Sequence, residues 1–144
     1  MNRVLRRILG CCLLASLPAC SSSPAAPSVG GLDGNWSGTV KDSAAGPGTA
    51  RFVLSQTGAG VSGTFALTFS AMPGDRIGTA GGTLAASVVI LALVPSAPLV
   101  CSPTVTLSGA MSATMTIVGD RMTGTYSSFT CGGAIGGTIE VTRQ

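Results

Sequence analysis

The chain has 144 residues, a formal net charge of +3 and no histidine. Without histidine, His-based nucleophilic triads and the commonest general base are absent. The length allows one domain with one core, and no cofactor is implied by any motif.

Residues 1–7 are a short basic stretch, and residues 8–17 are apolar. That run is about half of the roughly 20 residues needed to span a membrane, and its size suits a signal-peptide core. It ends in Leu17-Pro18-Ala19-Cys20. This segment resembles the bacterial lipoprotein signal, in which a small residue precedes a Cys that is lipidated and becomes the mature N-terminus. Leu17, Ala19 and Cys20 match, and Pro18 departs from the pattern. The resemblance implies that 1–19 is a removable signal peptide and that Cys20 carries the lipid. The membrane is then the first partner, and Ser21 rather than Asp after the Cys implies sorting to the outer membrane. Residues 20–33 begin with an uncharged Ser/Pro/Ala run that cannot bury enough apolar surface to fold, so they read as a flexible spacer.

Removing the signal removes Arg3, Arg6 and Arg7, which carry the whole net charge. Lys41, Arg51, Arg76, Arg121 and Arg143 then face Asp33, Asp42, Asp75, Asp120 and Glu140. The remainder is neutral, with no basic footprint for nucleic acid. Cys11 and Cys12 leave with the signal. Cys101 and Cys131 remain, an even pair in an oxidising compartment, and read as a disulfide. Two thiols without histidine do not complete a zinc site.

Residues 34–144 show period-2 alternation between Gly-rich turns, which signals an all-β domain. The alternation predicts strands at 35–41, 49–56, 61–70, 77–85, 88–94, 103–117, 121–129 and 134–143. One pattern recurs: apolar, any, Gly, Thr, apolar. It appears at Trp36-Ser37-Gly38-Thr39-Val40, Val61-Ser62-Gly63-Thr64-Phe65, Met122-Thr123-Gly124-Thr125-Tyr126 and Ile135-Gly136-Gly137-Thr138-Ile139, with a weaker copy at residues 80–84. The two apolar residues and the central Gly share one face. An inward Gly between inward apolar residues marks a sharp strand bend of the kind that closes a barrel. The predicted inward set is Trp36, Val40, Phe52, Leu54, Phe65, Leu67, Phe69, Ile90, Val105, Leu107, Met115, Ile117, Met122, Tyr126, Ile139 and Val141. The acids fall beside turns, except Glu140, which has outward parity.

Residues 104–118 alternate strictly, as one long strand bent at Gly109 or as two strands with a turn at Gly109-Ala110. In an up-and-down barrel, eight strands put Cys101 and Cys131 at one end, whereas nine put them at opposite ends. A disulfide needs Cα atoms within about 7 Å, so eight are favoured. Eight antiparallel strands in this length make a small closed barrel, either filled or holding one small ligand.

Gly34-Asn35-Trp36 opens the first strand, and Arg143 stands near the end of the last. This arrangement resembles the calycins, the lipocalin and avidin group. There the Trp plugs one barrel end and a basic residue packs across it. The resemblance implies a calycin-like up-and-down barrel in which Trp36 and Arg143 close one end through a cation–π contact of about 0.5–2 kcal/mol. It implies no ligand residue, because avidin-type sites use several Trp and this chain has one. The run 88–94, VVILALV, is apolar on both faces, and by the parity above Val89, Leu91 and Leu93 lie outside, either as an interface or membrane contact or covered by the Pro95–Pro98 loop or the spacer. The sequence thus leads to a non-catalytic envelope protein, one that binds a small apolar molecule or takes part in an envelope assembly. The alternative is a protein-binding inhibitor of a hydrolase, acting through loops at one barrel end.

Overall fold

The computed structural model describes residues 31–71 and 74–144, so Cys20, the segment 1–19 and most of the spacer lie outside the described residues. Ten strands form: β1 (Gly34–Asp42), β2 (Gly46–Thr57), β3 (Gly60–Phe69), β4 (Arg76–Ala85), β5 (Val88–Pro95), β6 (Leu99–Ser102), β7 (Val105–Leu107), β8 (Met111–Val118), β9 (Arg121–Thr130) and β10 (Gly133–Arg143). Eight of them close into an antiparallel barrel in the order β1-β10-β9-β8-β5-β4-β3-β2, while β6 and β7 pair only with each other. The all-β, eight-stranded, up-and-down architecture read from the alternation is therefore the observed one.

Its inner face is a continuous apolar core. Trp36, Phe52, Leu54, Leu67, Met115, Met122, Ile139 and Val141 are all essentially inaccessible to water. Outward positions of the same strands are largely Thr and Ser, as on Thr39, Thr49, Thr64 and Thr79, where branched side chains support extended backbone without adding much apolar surface.

The strand predicted over 103–117 is broken, and this is a correction. Gly109 adopts φ +66° and the chain leaves the extended path there. Only Met111–Val118 joins the barrel, and Val105–Leu107 belongs to the outlying β6–β7 hairpin. Val105 is therefore exposed and Leu107 half-buried, and neither fills the barrel. The barrel keeps eight strands because the detached piece leaves it.

The second correction concerns β5. Val89, Leu91 and Leu93 point inward with no exposure at all, and Ile90 points out at 52%. The three inward residues pair with Met115, Ala113 and Met111 of β8. Val89, Leu91 and Leu93 are thus core, not interface. A run apolar on both faces carries no parity of its own, and its neighbours decide the matter. The outward apolar residues of this strand are Val88, Ile90 and Val94.

The inward glycines of the repeat have a measurable cause. A Cβ on Gly82 would lie 1.9 Å from the Ile90 carbonyl oxygen, and one on Gly63 2.0 Å from that of Val53. At Gly38, Gly124 and Gly137 the distances to the facing strand's carbonyl are 2.1, 2.0 and 2.1 Å. The same crowding occurs at Gly48 and Gly78. The facing strand occupies the place where a side chain would begin, so the strands coil tightly enough to close a small barrel. Gly63→Ala and Gly82→Ala should each destabilise the fold by about 2–3 kcal/mol in urea unfolding, the upper part of the overpacking range. Gly81, next in sequence but with nothing within 4 Å of its Cβ position, is the matched control, and its Ala variant should stay within about 0.5 kcal/mol of the parent. Equal effects at Gly81 and Gly82 would remove the crowding argument.

Candidate functional site

β1 runs from one barrel end at Trp36 to the other at Asp42, and the two ends differ in kind. The Trp36 end is sealed. Trp36 is buried, its indole Nε1–H donates to the Leu32 carbonyl at 3.0 Å, and Leu32 itself has no exposure. The Arg143 guanidinium lies over the Trp36 ring, 4.6 Å from its centroid. Its nitrogens donate to the backbone carbonyls of Gly31 and Asp33 and, at 3.2 Å, to the Asp120 carboxylate. Gln56 completes the clasp: its side-chain oxygen accepts from the Leu32 N–H and its backbone N–H donates to the Asp33 carboxylate, both at 2.8 Å. Leu32 and Asp33, placed in the spacer by composition, are thus held against the barrel. The folded unit begins before Gly34, because Leu32 is buried and its carbonyl accepts the Trp36 indole N–H.

The opposite end is open. It gathers the β1–β2, β3–β4 and β9–β10 connections and the long β5–β8 connection that carries the hairpin. Cys101 on β6 and Cys131 in the β9–β10 turn are joined there, with S–S 2.00 Å and Cα–Cα 5.2 Å. The disulfide fastens the hairpin to the barrel rim.

Within this rim lies a cup of about 240 Å3. Phe69, Leu99, Met111 and Ile135 are among its apolar lining, with Cys131, and Asp42, Arg76 and Tyr126 are its polar corner. Asp42 is 5% exposed. Its Oδ1 accepts the Ala44 and Ala45 N–H groups at 2.7 and 2.8 Å, which shapes the β1–β2 turn, and its Oδ2 accepts the Tyr126 hydroxyl. Burial alone pushes the Asp42 carboxyl up. The Tyr126 hydroxyl, the Ala45 and Ala44 N–H groups and the Arg76 charge outweigh burial and hold it below its ordinary value. Burial pushes the Tyr126 hydroxyl well above the ordinary tyrosine range, helped by its bond to Asp42 and that residue's charge and opposed by Arg76. The corner therefore holds an ionised carboxylate, a neutral phenol and a guanidinium at neutral pH.

The sequence pattern sets Asp42 beside a turn, and its inward direction is the part that the turn alone does not single out. The signal was present: Asp42 has the parity of Trp36 and Val40 on the same strand. Tyr126 was placed inward, but nothing in the sequence pairs it with a residue 84 positions away. Arg76 begins β4 at the rim, where topology and not pattern brings it to the cup. Glu140 is outward and pairs with Arg121 at 2.7 Å on the exposed surface, a contact worth little.

Tyr126 is the chain's one tyrosine, so its ionisation can be followed directly by tyrosinate absorbance. The native chain should titrate above the same chain in urea. Up to about pH 10, where a free tyrosine ionises, both states keep the proton and the contribution is fully present. Above that the unfolded chain loses its proton first, so stability falls as pH rises. The Asp42 contribution has the opposite sense: it is present above about pH 3.9 and lost as pH falls through the lower native value. Tyr126→Phe should cost about 1.5–3 kcal/mol at neutral pH, since the lost bond is to a charged group, and should abolish the alkaline decline. Coincident titrations in water and urea would contradict this account.

Fold and site together define a small closed eight-stranded antiparallel barrel, sealed at one end and cupped at the other, compatible with a calycin-like barrel. No protein-family model matches the chain, and no curated protein matches it either.

Proposed function

We propose that the protein is a non-catalytic, lipid-anchored envelope protein that binds a small apolar molecule in its rim cup. The observation that carries this reading is the cup itself: concave, largely apolar and furnished with a few convergent polar groups, the usual make-up of a small-molecule site. The anchored part rests on the resemblance of Leu17-Pro18-Ala19-Cys20 to the lipoprotein signal. Gly31 lies at the sealed end, held through Arg143. A lipid on Cys20 would bring the sealed end towards the membrane and present the cup outward. The chemistry of the corner supports a binding role over catalysis. Three donors already engage the Asp42 carboxylate, which leaves it a poor general base.

Native mass spectrometry of the protein taken from its own envelope tests the binding. The expected result is a bound small molecule released on unfolding, and an empty monomer from every preparation would overturn it. Cys20→Ala tests the anchor and should move the protein from the membrane fraction to the soluble one. Retention in the membrane would end that claim.

A second reading is favoured by one observation. The disulfide-fastened hairpin carries exposed Val100 and Val105, and Phe129 is exposed on the adjoining part of β9. A rigid protruding loop with apolar side chains suits a protein-binding inhibitor of a hydrolase. A stoichiometric protein partner with an empty cup, in the same mass spectra, would favour it.

A further inference from the structure

The charges of the cup are unusual for an apolar site. Among its lining residues only Asp42 and Arg76 carry charged side chains, one of each sign. Asp75, next in sequence to Arg76, is turned to the barrel exterior, where its carboxylate accepts the Thr68 hydroxyl at 2.8 Å. Lys41 is likewise outside, exposed on β1. The cup is thus locally neutral, with its two charges on the same corner.

The hydrogen-bonding capacity of that corner is specific. A carboxylate offers about four lone-pair directions. Asp42 uses two on Oδ1 for the Ala44 and Ala45 N–H groups and one on Oδ2 for Tyr126. One direction on Oδ2 stays open. Arg76, half-buried, lines the cup and makes no side-chain hydrogen bond or ion pair among the described residues, which leaves its donors for a guest. An acceptor and a donor therefore line the same cup, near enough for the Arg76 charge to act on Asp42 but without an ion pair between them.

We propose that the cup takes an uncharged amphiphile, a short apolar chain or ring bearing one hydroxyl-type group that donates to Asp42 and accepts from Arg76. A carboxylate ligand would gain Arg76 but meet Asp42, whose low pKa keeps it ionised, at close range in a partly desolvated corner. An ammonium ligand would gain Asp42 and meet Arg76. Against heads of a single charge, a neutral head uses both groups without leaving a like charge beside it. The size limits the apolar part: the cup is smaller than the roughly 300–1,000 Å3 of sites for drug-sized ligands.

This inference rests on the reading of the cup as a ligand site, and the test separates the two. The full chain with its disulfide intact is titrated with octane, 1-octanol, octanoate and octylammonium. Binding is followed by calorimetry and by the amide shifts of Ala44, Ala45 and Gly132, which report the cup. 1-Octanol should bind about tenfold more tightly than either charged probe, the smallest gap expected from one uncompensated like charge. In Arg76→Gln the corner carries one net negative charge. Octylammonium should then gain about tenfold and octanoate should weaken further, while 1-octanol changes only a few-fold. Tighter binding of octanoate than of 1-octanol, or an order of affinities unmoved by Arg76→Gln, overturns the neutral-head assignment while the cup remains a ligand site. If no probe, octane included, shifts the cup amides, the ligand-site reading falls and this inference with it.

Discussion

Trp36→Ala is expected to cost about 4–5 kcal/mol of unfolding free energy, the top of the range for large aromatic truncations in a core. Three losses coincide at this position. The indole fills the sealed end under Leu32 and is 1% exposed, so its removal leaves a cavity that the rigid barrel wall cannot collapse into. The Leu32 carbonyl loses its donor. The Arg143 guanidinium loses the ring it covers. Domains of this size have total stabilities of about 5–15 kcal/mol, so the alanine variant stands close to unfolding, and a milder variant is needed beside it. Trp36→Phe keeps most of the apolar volume and removes the N–H, and should cost about 1–3 kcal/mol by leaving the Leu32 carbonyl without that donor. Arg143→Met keeps the stem over the ring and removes the charge. A double-mutant cycle between Trp36→Phe and Arg143→Met should give a coupling of about 0.5–2 kcal/mol. Urea unfolding of the four proteins supplies every number. A Trp36→Ala cost below about 2 kcal/mol would show that the end is not sealed by this residue.

The closed architecture was legible because three signals agree: period-2 alternation, Gly-rich turns, and an inward Gly at the same place in each copy of the strand repeat. The last of these proves to be steric, since at Gly38, Gly63, Gly82, Gly124 and Gly137 the facing strand leaves no room for a Cβ. The β5 parity was legible too, although by a route other than hydrophobicity. β4 and β5 are joined by a two-residue turn at Ala86-Ser87, which pairs Ala85 with Val88 and hence Leu84 with Val89. Leu84 is inward by the repeat, so Val89 follows, and Ile90 falls outside. The break at Gly109 was a different problem. Alternation continues through residues 104–118 as if one strand ran on, and only the positive φ of Gly109 and the absence of a barrel partner for Val105–Leu107 separate the pieces. The cup was the least legible part. Its polar corner joins Asp42, Arg76 and Tyr126 from three strands, and such a meeting follows from barrel closure and not from any spacing along the chain.

The second large effect belongs to the disulfide. Replacing both Cys101 and Cys131 by serine should lower stability by about 3–4 kcal/mol, the loop-closure value for a separation of this order; the separation here is 30 residues. The loss should also have a place. β6 and β7 hydrogen-bond only to each other, and an isolated two-stranded hairpin is marginal in water. The bond to Cys131 is its covalent hold on the rim, supplemented by Leu99, which reaches the cup wall and lies beside Gly109. In the serine variant the amides of 99–107 should therefore exchange with solvent orders of magnitude faster than in the parent. Those of β1, β9 and β10 should slow or quicken only with the global stability. Because Leu99 and Cys131 both line the cup, release of the hairpin should weaken binding of any guest there while leaving the sealed Trp36 end, at the other pole of the barrel, with its emission unchanged in the native state. Uniform exchange across the hairpin and the barrel, or a cost below about 1 kcal/mol, would mean that packing and not the covalent link holds the hairpin in place. The cup would then owe its shape to Leu99 and Gly109, and Leu99→Ala would become the variant that opens it.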